Sequence, residues 1–274
     1  MIFKKLIITG LLVSFYFNSI AQSPQRIVSL VPSITKQLYA LNVENKIIGC
    51  TSYCPGKDRK SVTVVASAIK VNIEKTLLLK TDLVLASSLT SPKTLETFKK
   101  LGVKTVWFDY PKSFEDLCEQ FLDLGKIVGK EDEAKEIINN AKARLLTTRN
   151  QIQQEKTLKM FIEIGANPLF GVIGNTFMDD YITFAGGSNI ISDLKSGAVS
   201  RESILIKNPE VVFVITMGVV GNEEKEVWQS YKSLNATQNN RIFIIDADIA
   251  SSPTPATFVD VVEKMVELIY DVKM

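Results

Sequence analysis

Short, apolar, β-branched runs alternate with segments of helical periodicity along most of the chain, and this alternation limits the fold more than any other feature. The runs are apolar throughout, which is typical of strands buried on both faces of a parallel sheet. Seven runs stand out, at residues 27–31, 46–50, 83–86, 105–108, 160–164, 211–215 and 242–245. Strands that alternate with helices predict an α/β protein with mostly parallel sheets flanked by helices.

The segment 130–155 differs from its surroundings because it contains neither glycine nor proline. Apolar residues such as Ile138 and Leu145 recur in it at helical spacing. We interpret it as one long, rigid helix that joins two lobes; the alternative is a surface helix that breaks near Thr147 and Thr148. The predicted organisation is a leader at 1–21, a first lobe at 22–129, a linking helix at 130–156 and a second lobe at 157–274.

The leader has the three parts of a secretory signal. A basic start at Lys4 and Lys5 precedes an apolar run, and small residues up to Ala21 offer a cleavage site. We expect cleavage after Ala21 and a periplasmic protein; the alternative is an uncleaved membrane anchor, for which roughly 20 apolar residues are needed. Without the leader, the chain has 30 basic and 30 acidic residues. A neutral chain argues against nucleic acid as a partner.

The sequence contains no histidine. This excludes Ser-His-Asp and Cys-His catalysis, the HExxH zinc site and histidine-rich metal clusters. We therefore expect no enzyme, no catalytic residue, no bound metal and no intrinsic cofactor. The alternative from another class is an exported hydrolase that works with carboxylates, for which Asp109, Asp246 and Asp248 follow predicted strands.

The three cysteines are an odd number. Cys118 lies on the apolar face of a predicted helix, which indicates packing. Cys50 and Cys54 are able to pair only if the chain turns between them, because an extended pair at this spacing is too far apart. We expect free, buried thiols, and a disulfide between Cys50 and Cys54 is the alternative.

The two halves contain an internal repeat. Residues 72–85 match residues 200–213 without a gap, at an offset of 128 residues. Each copy has a capping residue, a glutamate two positions later, a short helix, an acid and an apolar strand. Glu74 corresponds to Glu202, and each stabilises a helix dipole. Because the two glutamates occupy matched positions, we also predict that both project from one surface of the protein. Their carboxylates are suited to pair with arginines of a partner.

Ligands of open α/β sheets bind beyond the carboxyl ends of the strands. The loops at these ends, which include residues 165–174 and 216–221, are rich in small hydroxyl residues and contain several aromatics. Such loops suit a large, partly apolar ligand with polar edges. Tyr53 and Tyr110 are loop aromatics and are expected at the site. Trp107 is open to two interpretations, an aromatic wall or a core side chain.

Together these motifs resemble the class III periplasmic solute-binding proteins, the cobalamin and iron-siderophore group, and most of all its cobalamin-binding type. The resemblance covers about residues 25–272. The motifs lie at residues 26–33, 51–55, 72–74 with 81–84, 101–109, 185–190 and 199–204. Cobalamin binders tend to carry two further tryptophans, at places where this chain has residues 66–70 and 195–198 without one.

The resemblance implies two α/β lobes joined by a rigid helix. It implies capture of a metal chelate, a corrinoid first and a ferric siderophore or haem as the alternative, for an ABC importer. Glu74 and Glu202 correspond to the glutamates that engage arginines of the permease subunits. The predicted ligand-binding set, from the resemblance and the loops, is Ser33, Tyr53, Trp107, Tyr110, Phe170, Asp248 and Ser252. We expect a monomer; a sensor of the same fold without a transporter is another hypothesis.

Overall fold

The computed structural model describes residues 23–67, 70–152, 156–215 and 221–273. The predicted leader and its cleavage site at Ala21 lie outside these residues, as does most of the loop 216–221. The first sheet is entirely parallel, in the order β3-β2-β1-β4-β5. Its strands are β1 Ile27–Ser29, β2 Ile47–Thr51, β3 Thr63–Ala66, β4 Leu83–Ser87 and β5 Lys104–Phe108. The helices of this half are α1 Pro32–Ala40, α2 Ile73–Leu78, α3 Pro92–Lys100 and α4 Phe114–Val128.

The second sheet has the order β10-β9-β6-β7, and β8 also pairs with β6. Its pairings are parallel except for the short hairpin of β6 and β7. The strands are β6 Leu158–Ala166, β7 Leu169–Gly171, β8 Gly187–Asn189, β9 Val211–Val214 and β10 Ile242–Ile244. The helices of this half are α6 Phe177–Phe184, α7 Arg201–Lys207, α8 Gly221–Ser230, α9 Asn235–Gln238, α10 Ala247–Ala250 and α11 Pro255–Tyr270. The predicted α/β class is confirmed.

Between the halves lies α5, Glu131–Asn150, whose 20 residues span about 30 Å. The helix continues through Thr147 and Thr148, so the alternative of a break there is wrong. Three acidic residues in its first turn and Arg149 in its last turn suit the helix dipole. The helix ends at Asn150, and residues 153–155 lie outside the described part. The division of the chain at 129 and 156 stays a prediction.

The two lobes share one apolar interior. A continuous cluster of buried side chains runs from the first sheet through α4, α5 and α11 to the second sheet. It includes Leu83, Phe121, Leu145, Phe213 and Phe258. Moving the lobes apart would expose this surface at a cost of about 25 cal/mol per Å². The shared interior therefore favours a rigid pair of lobes.

Each sheet buries its other face under helices of its own lobe. Val84 and Phe98 belong to the cluster on the outer face of the first sheet. Val212 and Trp228 belong to the corresponding cluster of the second sheet. Both faces of the central strands are therefore buried, which explains why these strands are mostly apolar; the buried Ser29 on β1 and Glu163 on β6 are exceptions.

The internal repeat is also a structural repeat. Asn72 and Ser200 cap α2 and α7 by accepting hydrogen bonds from backbone amides three residues later, at 2.8 and 3.2 Å. The acid that precedes the next strand has the same function in both copies. Asp82 accepts from the amide of Arg26 at 3.1 Å, and Glu210 accepts from the amide of Lys159 at 3.0 Å. Both acids therefore fix the neighbouring strand of their own sheet.

The three cysteines are free and buried, as predicted. Cys54 accepts a hydrogen bond at 3.2 Å from the hydroxyl of Thr35, and its sulfur shares a second hydrogen bond of 3.2 Å with the hydroxyl of Thr51. A hydrogen bond from the thiol of Cys50 and these hydroxyl contacts lower the pKa of Cys54 to about 6, against the opposing effect of burial. The same hydrogen bond, with burial, raises the pKa of Cys50.

A buried polar network lies in the second lobe behind α7. Glu163 on β6 is fully buried and accepts a hydrogen bond from the indole of Trp228 at 2.5 Å. Glu224 pairs with Arg201, whose guanidinium lies over the ring of Trp228. Burial raises the pKa of Glu163 to about 7, and the charge of Glu224 adds to this effect. The indole donor and Arg201 act in the opposite direction.

This raised pKa predicts a pH dependence of stability. The contribution of protonated Glu163 is complete below a pH of about 4.5 and is lost as the pH rises through about 7. We expect Glu163 to lower the free energy of unfolding by about 2 kcal/mol between pH 5.5 and 8. Glu163→Gln should remove this slope in urea titrations, because glutamine is neutral at every pH. If the free energy of unfolding fell equally with pH in the wild type and in Glu163→Gln, the assignment would be contradicted. Glu119→Gln, a substitution at an exposed position, is the control.

Candidate functional site

A cavity of about 360 Å³ lies where strands of the first sheet end against the second half of the chain. The loops after β1, β4 and β5 form most of its wall, and Ser251 and Ser252 after α10 close it from the other side. Its volume is at the lower end of the range for small-molecule sites. The lining residues are Val31, Pro32, Ser33, Ile34, Ser87, Ser88, Leu89, Phe108, Asp109, Tyr110, Pro111, Gln120, Ser251 and Ser252. Of the predicted set, Ser33, Tyr110 and Ser252 are therefore together.

Three predicted aromatics lie at strand ends outside this lining. Tyr53 follows β2 and is 68% exposed, while Trp107 near the end of β5 and Phe170 on β7 are each 40% exposed. Exposed rings on both lobes provide flat apolar surface that a folded core does not use.

Two of these rings are held in place by close neighbours. The indole of Trp107 donates to the carboxylate of Asp109 at 3.0 Å. Phe170 lies against Gly197, where an added Cβ would come within 2.4 Å of the ring. A side chain at position 197 would therefore displace Phe170.

Tyr110 joins the two lobes at the cavity. Its ring contacts that of Phe177 on α6, with centroids 5.5 Å apart. Nearby, the carboxylate of Asp180 on α6 accepts from the amide of Phe114 at the start of α4, at 2.7 Å. The cavity is therefore bounded by a packed contact between the lobes.

Asp248, predicted to meet the ligand, takes part in a contact between the lobes. Lys36 on α1 pairs with its carboxylate at 3.3 Å and also donates to its carbonyl oxygen. The Asp248 side chain is 88% exposed, so the pair is open to solvent. An approaching polar group is able to replace either partner, because an exposed pair contributes at most about 1 kcal/mol.

The acids of the hydrolase alternative each have a separate structural partner. Asp109 accepts from Trp107, and Asp246 caps α10 by accepting from the amide of Asp248 at 2.7 Å. Asp248 itself pairs with Lys36. These contacts account for all three carboxylates without a catalytic pair. Within the residues that the structure describes, no group of three or more cysteine, aspartate or glutamate side chains is arranged to hold a metal ion.

Glu74 and Glu202 are exposed in the first turns of α2 and α7. Hydrogen bonds from its own amide and from Ser200 lower the pKa of Glu202. Neither glutamate lines the cavity at the carboxyl ends of β1, β4 and β5. Their positions are therefore separate from those of Ser33, Tyr110 and Ser252, whereas Glu74 borders a second cavity of about 650 Å³ together with Ser52.

Several lining residues were missed from the sequence. Leu89 is 59% exposed in the loop after β4, and its apolar character in a polar loop was an available signal. Gln120 reaches the cavity from α4, where its side chain donates to the carbonyl of Asp109 at 2.7 Å. Lys36 lies outside the lining and was also missed; it follows Ser33 by one helical turn and pairs with Asp248. The contacts of Gln120 and Lys36 join residues distant in sequence, so no local pattern reveals them.

The protein has two α/β lobes that share a rigid interior and face each other across a cavity at strand ends. This architecture defines the class of solute-binding proteins. None of the helices in the described part of the chain combines the length and apolarity needed to cross a membrane. The family model for periplasmic binding proteins matches residues 27–249. The chain belongs to this periplasmic binding protein family, which confirms the predicted family.

Individual relatives agree with this membership. The chain is 26% identical over 245 residues to the vitamin B12-binding protein of Vibrio cholerae, covering 88% of this chain and 87% of that protein. It is 28% identical over 263 residues to the uncharacterised ABC transporter substrate-binding lipoprotein YvrC of Bacillus subtilis, covering 92% and 82%. A crystal structure from Staphylococcus epidermidis, described as a possible iron-binding periplasmic solute-binding protein, has a TM-score of 0.78 at 26% identity, covering 91% and 100%.

Proposed function

We propose that this protein captures a metal chelate between its lobes and delivers it to an ABC importer, with a corrinoid as the first choice. It is exported to the periplasm, acts as a monomer and performs no chemical step. Two observations carry the proposal: a cavity at strand ends that both halves of the chain line, and exposed aromatic side chains on both lobes. The name of the Vibrio cholerae relative, a vitamin B12-binding protein, supports the same choice.

The arrangement suits a broad, partly apolar ligand. Ser33 and Ser252 provide hydroxyls from opposite walls of the cavity, and Tyr110 provides a ring between them. Tyr53, Trp107 and Phe170 extend the apolar surface outward. A planar macrocycle stacks on such rings, while its polar edge groups hydrogen-bond to hydroxyls or to the Lys36–Asp248 pair.

The shared interior gives this capture its physical advantage. Because α4, α5 and α11 form one core with both sheets, the binding surfaces are held in place before the ligand arrives. A preorganised site loses little conformational entropy on binding. We expect the lobes to move only slightly between the empty and the bound protein.

Delivery requires a surface that the importer recognises. Glu74 and Glu202 supply one exposed carboxylate per lobe, at corresponding positions of the repeat. Carboxylates form bidentate pairs with arginine, which combines charge with fixed geometry. We assign these two glutamates to contacts with arginines of the two permease subunits.

The ligand that co-purifies with the protein from its native periplasm tests the proposal. We expect a stoichiometric metal chelate, identified by mass and by the visible absorption of a corrin. Recovery of haem or a ferric siderophore would support a metal chelate as the ligand class but would replace the corrinoid as the first choice. A stoichiometric sugar, peptide or amino acid would contradict the proposal.

A further inference from the structure

The helices α2 and α7 each expose one large aliphatic side chain. Leu78 is 82% exposed and Ile206 is 85% exposed, more than any other large hydrophobic residue in the described part of the chain. The two residues occupy corresponding positions of the internal repeat. Chance exposure of an aliphatic side chain at two matched positions is a poor explanation. One shared function explains the exposure of both residues better.

Each aliphatic residue shares a helix face with a glutamate. Leu78 follows Glu74 by four residues, and Ile206 follows Glu202 by four residues. Side chains four positions apart lie one above the other on the same side of a helix, about 6 Å apart at Cβ. Each lobe therefore presents a carboxylate and an aliphatic group side by side, outward from the protein.

The backbone around this pair is the same in both lobes. Thr76 and Ile204, at matched positions between the two exposed residues, are buried. Each helix is followed by a residue with left-handed backbone, Lys80 with φ 52° and Asn208 with φ 49°. The same local structure thus displays the same two chemical groups twice.

Folding provides no reason to keep these side chains aliphatic. An exposed leucine or isoleucine buries almost no surface, and a polar residue would serve equally well in a helix. Exposed apolar groups beside polar residues are instead typical of contact surfaces for other proteins.

We propose that Leu78 and Ile206 are the apolar contacts of the importer docking surface, one on each lobe. The inference rests on the proposed function and extends it. The partner presents the same structure twice, a cationic side chain beside an apolar pocket, so that each half receives a carboxylate and an aliphatic group together. Water is excluded from each charge pair by the neighbouring apolar contact, which strengthens the pair.

Charge favours this partner over the other occupants of such a surface. Anionic headgroups would attract Lys75 on α2 and Lys80 beside it but would leave Glu74 and Glu202 without cationic partners. A second copy of the chain that met the same patch would bring carboxylates together. A protein that carries cationic groups pairs with both glutamates and covers both aliphatic residues.

The test compares four proteins, the wild type, Leu78→Ser, Ile206→Ser and the double variant. Leu146→Ser on α5 is the matched control, because Leu146 is 63% exposed and lies outside the repeat. Affinity for the permease–ATPase complex of the cell's cobalamin importer, in nanodiscs, is measured by interferometry. Affinity for cyanocobalamin is measured separately by calorimetry. Sedimentation with anionic vesicles that lack the importer, and analytical ultracentrifugation, report on lipid binding and self-association.

We expect about a tenfold loss of importer affinity for each single variant and about a hundredfold loss for the double variant. Cyanocobalamin affinity and the Leu146→Ser control should be unchanged. If the double variant binds the importer as tightly as the wild type, this inference is overturned and the proposed function is left intact. A wild type that binds neither cyanocobalamin nor the importer would overturn the proposed function. Vesicle binding or dimerisation that disappears in the double variant would assign the patch to lipid or to a second copy, against the inference.

Discussion

Reversing the charge of both glutamates proposed for docking, with Glu74→Lys and Glu202→Lys together, is expected to abolish uptake while leaving ligand affinity unchanged. Each carboxylate is exposed on a short helix, and neither lines the cavity at the strand ends. Truncating one partner of a hydrogen-bonded charge pair at an interface costs about 2–5 kcal/mol, and reversal adds repulsion. Two such changes should weaken docking by more than about a thousandfold.

The measurement is uptake of labelled cyanocobalamin by cells that carry only the variant, together with calorimetry on the purified protein. Glu96→Lys with Glu136→Lys is the matched control, because both residues are exposed on helices outside the repeat. Thermal unfolding checks that loss of the favourable helix-dipole contacts leaves the protein folded. Uptake at the wild-type rate would show that these glutamates have no part in delivery. Loss of cyanocobalamin affinity would place them at the ligand site.

Removing the exposed rings should have the second large effect, on capture. We expect Tyr53→Ala, Trp107→Ala and Phe170→Ala each to weaken cyanocobalamin binding about tenfold, and the triple variant several hundredfold or more. The physical reason is the loss of the aromatic surface on which the proposed ligand stacks. Tyr53 is 68% exposed, whereas Trp107 and Phe170 are each 40% exposed, so the latter two variants should also lose some stability, and thermal unfolding should show that each variant is folded at the temperature of the binding assay.

Two controls separate stacking from other effects. Trp107→Phe keeps an aromatic ring but removes the indole hydrogen bond to Asp109, and should retain most of the affinity. Leu146→Ala removes an exposed apolar side chain far along α5 and should change nothing. A triple variant with wild-type affinity would exclude the rings from the ligand site.

Residues with a local physical signature were predictable from the sequence. Both repeat helices were located because their caps, Asn72 and Ser200, and the acids before the next strands recur at a fixed offset. The apolar strands were found because burial on both faces leaves few polar positions. The absence of glycine and proline correctly indicated the long helix α5.

Three strands were missed for reasons of length and composition. β7 and β8 have three residues each, and β8 contains only glycine, serine and asparagine. Such segments form strands because β6 offers free backbone groups beside them, which is a property of the tertiary structure. β3, with four residues, lies at the edge of its sheet.

The site was only partly predictable because its contacts join distant parts of the chain. Ser33 and Ser252 are 219 positions apart yet line one cavity. Asp248 was recognised as a strand-end acid, but its partner Lys36 belongs to the other lobe. The exposure of Leu78 and Ile206 also required the fold, since a leucine and an isoleucine in short helices look like core residues in sequence.

The most direct test of the central claim is a titration of the wild-type protein with cyanocobalamin, cobinamide, haem and a ferric siderophore. The chain has two tryptophans, and Trp228 is fully buried, so quenching of fluorescence on binding should come from Trp107 and disappear in Trp107→Phe. We predict that one chelate, a corrinoid first, binds one to one with a dissociation constant of micromolar or below. Failure of all four chelates to bind at micromolar concentration would contradict the account.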